Sequence, residues 1–152
     1  MSDGKLTIKR RNLPHWTIDG STYYVTFHLL AGELTKSERA IVLNHIKQSH
    51  RRFYQLAAVA VMPDHVHLVL RPLAEYALSR IMKGIKGVSS HLINQARGTT
   101  GSLWQDESWD RIVRDPEQFE EKLHYMWENP FKAELVQPGE LWDGWWSDPE
   151  IM

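Results

Sequence analysis

The sequence predicts an α+β domain in which helices pack on a mainly antiparallel sheet. Three observations carry this expectation: apolar and polar side chains alternate over Tyr23 to Leu29, two apolar runs flank Pro63-Asp64, and apolar residues recur at helical spacing between and after them. With 152 residues, 42% of them hydrophobic, the chain can bury one core unaided. It is expected to form a single domain over 1–152, with a core from about 20 to 137, a short N-terminal arm and a tryptophan-rich C-terminal tail.

In chain order, Tyr23, Val25, Phe27 and Leu29 alternate with Tyr24, Thr26 and His28, the period of a half-buried strand after the Gly20-Ser21 turn. Thr35 or Ser37 can cap a helix whose apolar positions Ile41, Val42, Ile46 and Phe53 extend it to about Tyr54. Leu56 to Met62 and His65 to Arg71 read as a hairpin turning at Pro63-Asp64. Tyr76 to Ala96 places Leu78, Ile81, Ile85, Val88, Leu92 and Ile93 at helical intervals, with Gly84 and Gly87 as weak points. Gly98 to Ser102 is a polar loop that can act as a hinge, and Trp104 to Val113 is an extended segment. Asp115-Pro116-Glu117 then starts a helix that is expected to end at Asn129-Pro130.

Composition excludes several chemistries. The chain has no cysteine, so disulfides, thiolate metal sites and cysteine nucleophiles are ruled out, and any metal must be held by nitrogen and oxygen. No apolar run approaches the roughly 20 residues of a membrane span, and a cytoplasmic protein without a membrane partner is expected. Lys and Arg number 18 against 19 Asp and Glu, so net charge does not announce a nucleic-acid binder. The charges are segregated, however. Bases gather at Lys5, Lys9, Arg10 and Arg11, at Lys47, Arg51 and Arg52, and at Arg80, Lys83 and Lys86, while acids concentrate from Asp106 to Glu121 and in the tail.

The chemistry concentrates in two places. On a strand beginning at His65, His65 and His67 share one face while Val66, Leu68 and Leu70 supply the packing on the other, so the imidazoles are not needed as filler. They make half a metal site. In the last helix, at about 100 degrees per residue, Tyr125 falls more than a quarter turn from the apolar direction of Phe119, Leu123 and Met126. Asn129 lies on the same flank one turn on. A phenol with a pKa near 10 is about one part in a thousand phenolate at neutral pH, so its attack on phosphate needs help. A divalent ion on His65, His67 and Asn129 can polarise the phosphate and orient the bond to be broken. Taken singly, Asn129 reads as a helix cap and Tyr125 as an aromatic at the core margin.

With those residues in hand, the chain resembles the HUH single-tyrosine transposases, which include the REP-associated tyrosine transposases of bacteria. The resemblance is carried by Met62-Pro63-Asp64-His65-Val66-His67-Leu68, by Tyr125-Met126-Trp127-Glu128-Asn129-Pro130-Phe131-Lys132-Ala133, and by Leu103-Trp104-Gln105 and Trp109-Asp110-Arg111-Ile112-Val113-Arg114-Asp115 between them. It implies a ferredoxin-like sheet carrying the histidines and a helix bringing the tyrosine to them. It further implies His65, His67 and Asn129 as ligands of Mg2+ or Mn2+, and Tyr125 as the nucleophile that cuts single-stranded DNA through a 5′-phosphotyrosine, leaving a 3′-hydroxyl. Asn129-Pro130 and the Trp142 to Trp146 tail resemble the REP-associated branch, which implies hairpin DNA as substrate and a monomer or a homodimer as the active form.

Contacts to DNA are expected from Lys83 and Lys86, three apart on a helix, and from Arg111. Trp104 and Trp109 can stack unpaired bases or pack in the core. Two other functions fit the same residues: a relative that binds hairpins without cutting them, and a phosphoesterase using a metal-activated water.

Overall fold

The computed structural model describes residues 6–18 and 20–152; Lys5 of the N-terminal basic group lies outside the described residues. Strands β1 (Tyr23–Leu29), β2 (Tyr54–Val61), β3 (His65–Pro72), β4 (Trp104–Ile112) and β5 (Trp145–Ser147) form one sheet in the order β4-β1-β3-β2-β5. Every neighbouring pair is antiparallel. Helices α1 (Pro14–Thr17), α2 (Lys36–Gln48), α3 (Leu78–Arg97) and α4 (Pro116–Lys132) complete the α+β fold. From β1 to β4 the order β-α-β-β-α-β, with β1 and β3 central, is the ferredoxin-like arrangement.

The strand alternation separates two layers. Val25, Phe27, Val66, Leu68 and Leu70 face α2 and α3 in one core, together with Ile46, Ile81, Ile85 and Trp104. On the opposite side, Ala57, Ala58, Ala60 and Val69 meet Phe119, Leu123 and Met126 of α4 and Trp16 of α1. The alanines let α4 come close to the sheet, on the face that also carries His65 and His67.

Several element ends differ from the sequence expectation. Thr35 caps α2 through a reciprocal capping box with Glu38, but the helix stops at Gln48 rather than near Tyr54. Arg51 adopts φ 72° in the turn, and Tyr54 opens the next strand with its hydroxyl donating to the Ile46 carbonyl at 2.7 Å. Phe53 therefore belongs to the turn, although its apolar character fits the helical period.

Gly84 and Gly87 do not break α3, because Ile81, Ile85, Ser89 and Ile93 anchor a continuous buried stripe behind them. Val88 and Leu92, expected in that stripe, are turned outward instead. The loop from Gly98 begins with that glycine in the left-handed cap of α3, donating its N–H to the Asn94 carbonyl. Helix α4 continues through Pro130 to Lys132. A proline removes one donor from a helix, and the burial of Pro130 against the body of the protein offsets that loss.

The tail adds the fifth strand. Trp145 and Trp146 pair with Ala60 and Val59 along the edge of β2, and the indole N–H of Trp142 donates to the Val61 carbonyl at 2.9 Å. No helix among the described residues is long and apolar enough to cross a membrane.

Candidate functional site

The β1–β3 register builds one wall of the site. Thr26 lies opposite His67, and His28 opposite His65, so side chains at these positions and at Tyr24 rise from the same face as the two histidines. The His65 and His67 Nε2 atoms face each other at 2.9 Å. Behind them, Asp64 Oδ1 stands 2.7 Å from His65 Nδ1, while the Tyr24 and Thr26 hydroxyls stand 2.9 and 3.0 Å from His67 Nδ1.

The other wall is α4. Its docking on the alanine-lined face points the Tyr125–Asn129 flank at the histidines. Asn129 Nδ2 lies 2.8 Å from His67 Nε2, and the Tyr125 ring stands edge-on to the His67 ring with centroids 5.7 Å apart. Tyr125 is 49% exposed, whereas His67 is only 4% exposed. A half-exposed phenol thus stands beside a buried imidazole. Lys122, one turn before Tyr125, places its ammonium 5.2 Å from the Tyr24 ring centroid.

Burial, reinforced by the neighbouring His65 and His28, pushes the His67 pKa down to about 3. The imidazole is therefore neutral at physiological pH. Burial also raises the Tyr24 phenol, a hydrogen bond from Thr26 opposes the rise, and proximity to Tyr125 adds to it.

Asp64 settles the tautomer of His65, while the Tyr24 and Thr26 hydroxyls, able to donate or accept, allow His67 to carry its proton on Nδ1. A carboxylate can only accept, so His65 gives its Nδ1 proton to Asp64 and keeps a lone pair on Nε2. With the His67 Nδ1 proton directed at the two hydroxyls, its Nε2 lone pair faces that of His65. Two opposed lone pairs repel unless a cation or proton lies between them. Rotating the Asn129 amide about its last bond brings Oδ1 to the same place as Nδ2. Two imidazole nitrogens and an amide oxygen fit a divalent ion. Among the described residues no group of three or more His, Asp or Glu side chains gathers anywhere as an alternative.

The expected DNA contacts divide between the two layers. Arg111 pairs with Tyr24 across β1–β4, so it shares the histidine face. Lys83 and Lys86 do not. They line a groove between α3 and β4 of about 360 Å³ on the other layer, where Lys86 donates to the Asp106 carbonyl at 3.0 Å and to Ser108 Oγ at 3.3 Å. Trp104 is buried against Phe27 and donates its indole N–H to Ser89. Trp109 is 68% exposed.

Tyr24, Thr26, His28 and Asp64 complete the site without having been singled out from the sequence. Tyr24, Thr26 and His28 form the polar face of the first strand, and Asp64 lies in the turn before β3. Only the register with β3 turns that face into a wall of the site.

The sequence profile described as "Transposase IS200 like" matches residues 27–113, a span that includes both histidines and ends before α4. A Haemophilus influenzae protein assigned as a REP-associated tyrosine transposase is 22% identical over 139 residues, covering 81% of this chain and 77% of that protein. A solved REP-associated tyrosine transposase bound to a REP hairpin superposes with a TM-score of 0.64 at 24% identity, covering 80% of this chain and 73% of the other.

Proposed function

Because the chain belongs to the IS200-like transposase family, we propose that it cuts and rejoins single-stranded DNA through a covalent bond to Tyr125, acting on hairpin or REP-like sequences with Mg2+ or Mn2+ bound by His65, His67 and Asn129. The observation that carries this reading is the convergence of Tyr125 and Asn129, from one flank of α4, on the buried neutral imidazole of His67. A nucleophile and its electrostatic partner are thereby held on one rigid helix against one rigid strand.

The divalent ion, when bound, supplies positive charge to a non-bridging phosphate oxygen. The protein's own groups do the rest. Asp64 and the Tyr24–Thr26 hydroxyl pair hold the two imidazoles in the tautomer that presents Nε2 inward. The Tyr125 oxygen attacks phosphorus, its proton passes to solvent on its exposed side, and the P–O3′ bond breaks as the 3′-oxygen takes up a proton. One ester replaces another, so no water or nucleotide is consumed, and the same steps in reverse join the 5′ end to a new 3′-hydroxyl.

The related transposase seen with a REP hairpin supports hairpin DNA as the substrate. The placement of Tyr125 against its own chain's His67 supports a site that one protomer completes. The test is to incubate the protein with Mg2+ or Mn2+ and labelled hairpin DNA carrying a single-stranded flank, then separate the products under denaturing conditions. A protein–DNA adduct that is absent with Tyr125→Phe is the expected result. Cleavage that survives Tyr125→Phe without an adduct would instead point to an activated water, and binding without cleavage to a hairpin-binding protein.

A further inference from the structure

Trp109, 68% exposed, lies on β4 at the edge of the sheet. Trp109 pairs with Thr26 across β1–β4, and Thr26 pairs with His67 across β1–β3, so the three lie in one row across the sheet and rise from the same face. Adjacent strands are about 4.8 Å apart, which places Trp109 roughly 10 Å from His67, within the span of a dinucleotide. The next position on the same face, Arg111, stands opposite Tyr24, and the Lys122 ammonium lies 5.2 Å from the ring centroid of that tyrosine.

Beyond Arg111 the surface falls into a cleft of about 580 Å³ between the end of β4 and the first turns of α4, where Arg111, Arg114 and Lys122 outnumber Asp110 and Glu121. Asp110 pairs with Val25 across β1–β4 and, with Glu121, still lines this cleft, so the cations exceed the acids there by one. An aromatic platform, a row of cations and the histidines are therefore continuous on one face. A folded protein partner would bring its own acidic side chains to such a surface, but the flat exposed ring beside spaced cations matches a flexible polyanion with unpaired bases better.

We propose that Trp109 is a stacking platform for an unpaired base of the DNA strand whose phosphate lies at His67, with Arg111 and Lys122 holding the intervening backbone. Trp109 is a positioning residue: it sets the register of the strand and does not take part in bond breaking. The assignment rests on the strand-transfer reading above and narrows it to a path. The strand enters along β4 and the β4–α4 cleft, and Lys83 and Lys86, on the other layer, stay off it.

The test uses the full chain with Tyr125→Phe, so that binding is read without cutting. Single-stranded oligodeoxythymidylate substituted with 5-iodouracil is bound, irradiated, and the joined peptide identified by mass spectrometry. The expected adduct is on Trp109. In parallel, anisotropy titrations should show binding weakened on the order of tenfold or more by Trp109→Ala and kept near the starting value by Trp109→Phe, as stacking on either ring predicts. Circular dichroism melts should coincide for all three proteins because the indole is exposed. Adducts elsewhere on a bound strand, or unchanged affinity with Trp109→Ala, would overturn the stacking role and leave the strand-transfer reading standing. Failure of the Tyr125→Phe protein to bind any single strand would overturn both.

Discussion

The most discriminating perturbation is the pair Tyr24→Phe and Thr26→Val, because both hydroxyls serve one atom. His67 Nδ1 has partners at 2.9 and 3.0 Å, and the ring is 4% exposed, so water cannot substitute for a missing partner. Either single change leaves the second hydroxyl in place. Each should cost about 0.5–1 kcal/mol, the net value of a typical hydrogen bond. The double change leaves a buried ring nitrogen unpaired and should cost about 3 kcal/mol, exceeding the sum of the singles by about 1–2 kcal/mol. Both substitutions nearly preserve shape, and Tyr24→Phe keeps the ring beneath Lys122.

The same cycle should appear in ion binding. Loss of an outer partner typically weakens metal binding by about 10–100-fold, so the double variant should fall in that range and each single variant below it. Urea unfolding followed by circular dichroism gives the stability cycle, and calorimetric titration with Mn2+ gives the binding cycle. Strict additivity in the unfolding data would refute the shared-partner argument. A double variant that binds Mn2+ as tightly as the parent would refute the view that these hydroxyls orient a ligand.

Other outcomes follow from named contacts. Tyr125→Phe should abolish the covalent adduct yet change stability by less than about 0.5 kcal/mol in a thermal melt, since the side chain is half exposed. Chelation of divalent ions with EDTA should remove adduct formation, and added Mn2+ should restore it. A Cβ at Gly144 would fall on the Val61 carbonyl oxygen and the Trp142 indole nitrogen, so Gly144→Ala should cost about 1–3 kcal/mol by displacing β5, measurable as a lowered melting midpoint. The Arg97 guanidinium, 2.7 Å from Glu38, holds that carboxyl down at about 2, below its usual 4.5. An unfolded chain takes up this proton near pH 4.5 and the folded one only near pH 2, so the pair's stabilisation is complete above pH 4.5 and lost as pH falls between those values. Allowing for solvent screening, acid unfolding should show about 1–2 kcal/mol from this pair, and Arg97→Met should flatten that limb.

The strand faces were legible because side-chain alternation is a local property. His65 and His67 share a face wherever their strand goes, and Val66, Leu68 and Leu70 pack on the other side as expected. The flank shared by Tyr125 and Asn129 was legible for the same reason, from the turn per residue of a helix. Element ends were less so: Phe53 fits a helical period but lies in a turn, and Asn129-Pro130 carries a stop signal that burial of Pro130 overrides. Lys83 and Lys86 follow the histidine strand closely in sequence, yet α3 packs on the layer away from the histidines, a placement that sequence proximity does not reveal.

By itself, then, the sequence determined which side chains must travel together on each strand and helix, including a histidine pair and a tyrosine–asparagine pair. Only the tertiary structure decided that these pairs meet, because it chose β1 as the neighbour of β3 and the alanine-lined face as the seat of α4. Local periodicity is set by backbone geometry within a few residues. Register and docking depend on burying complementary surfaces from segments some sixty residues apart, as the 62-residue separation of Asn129 and His67 illustrates.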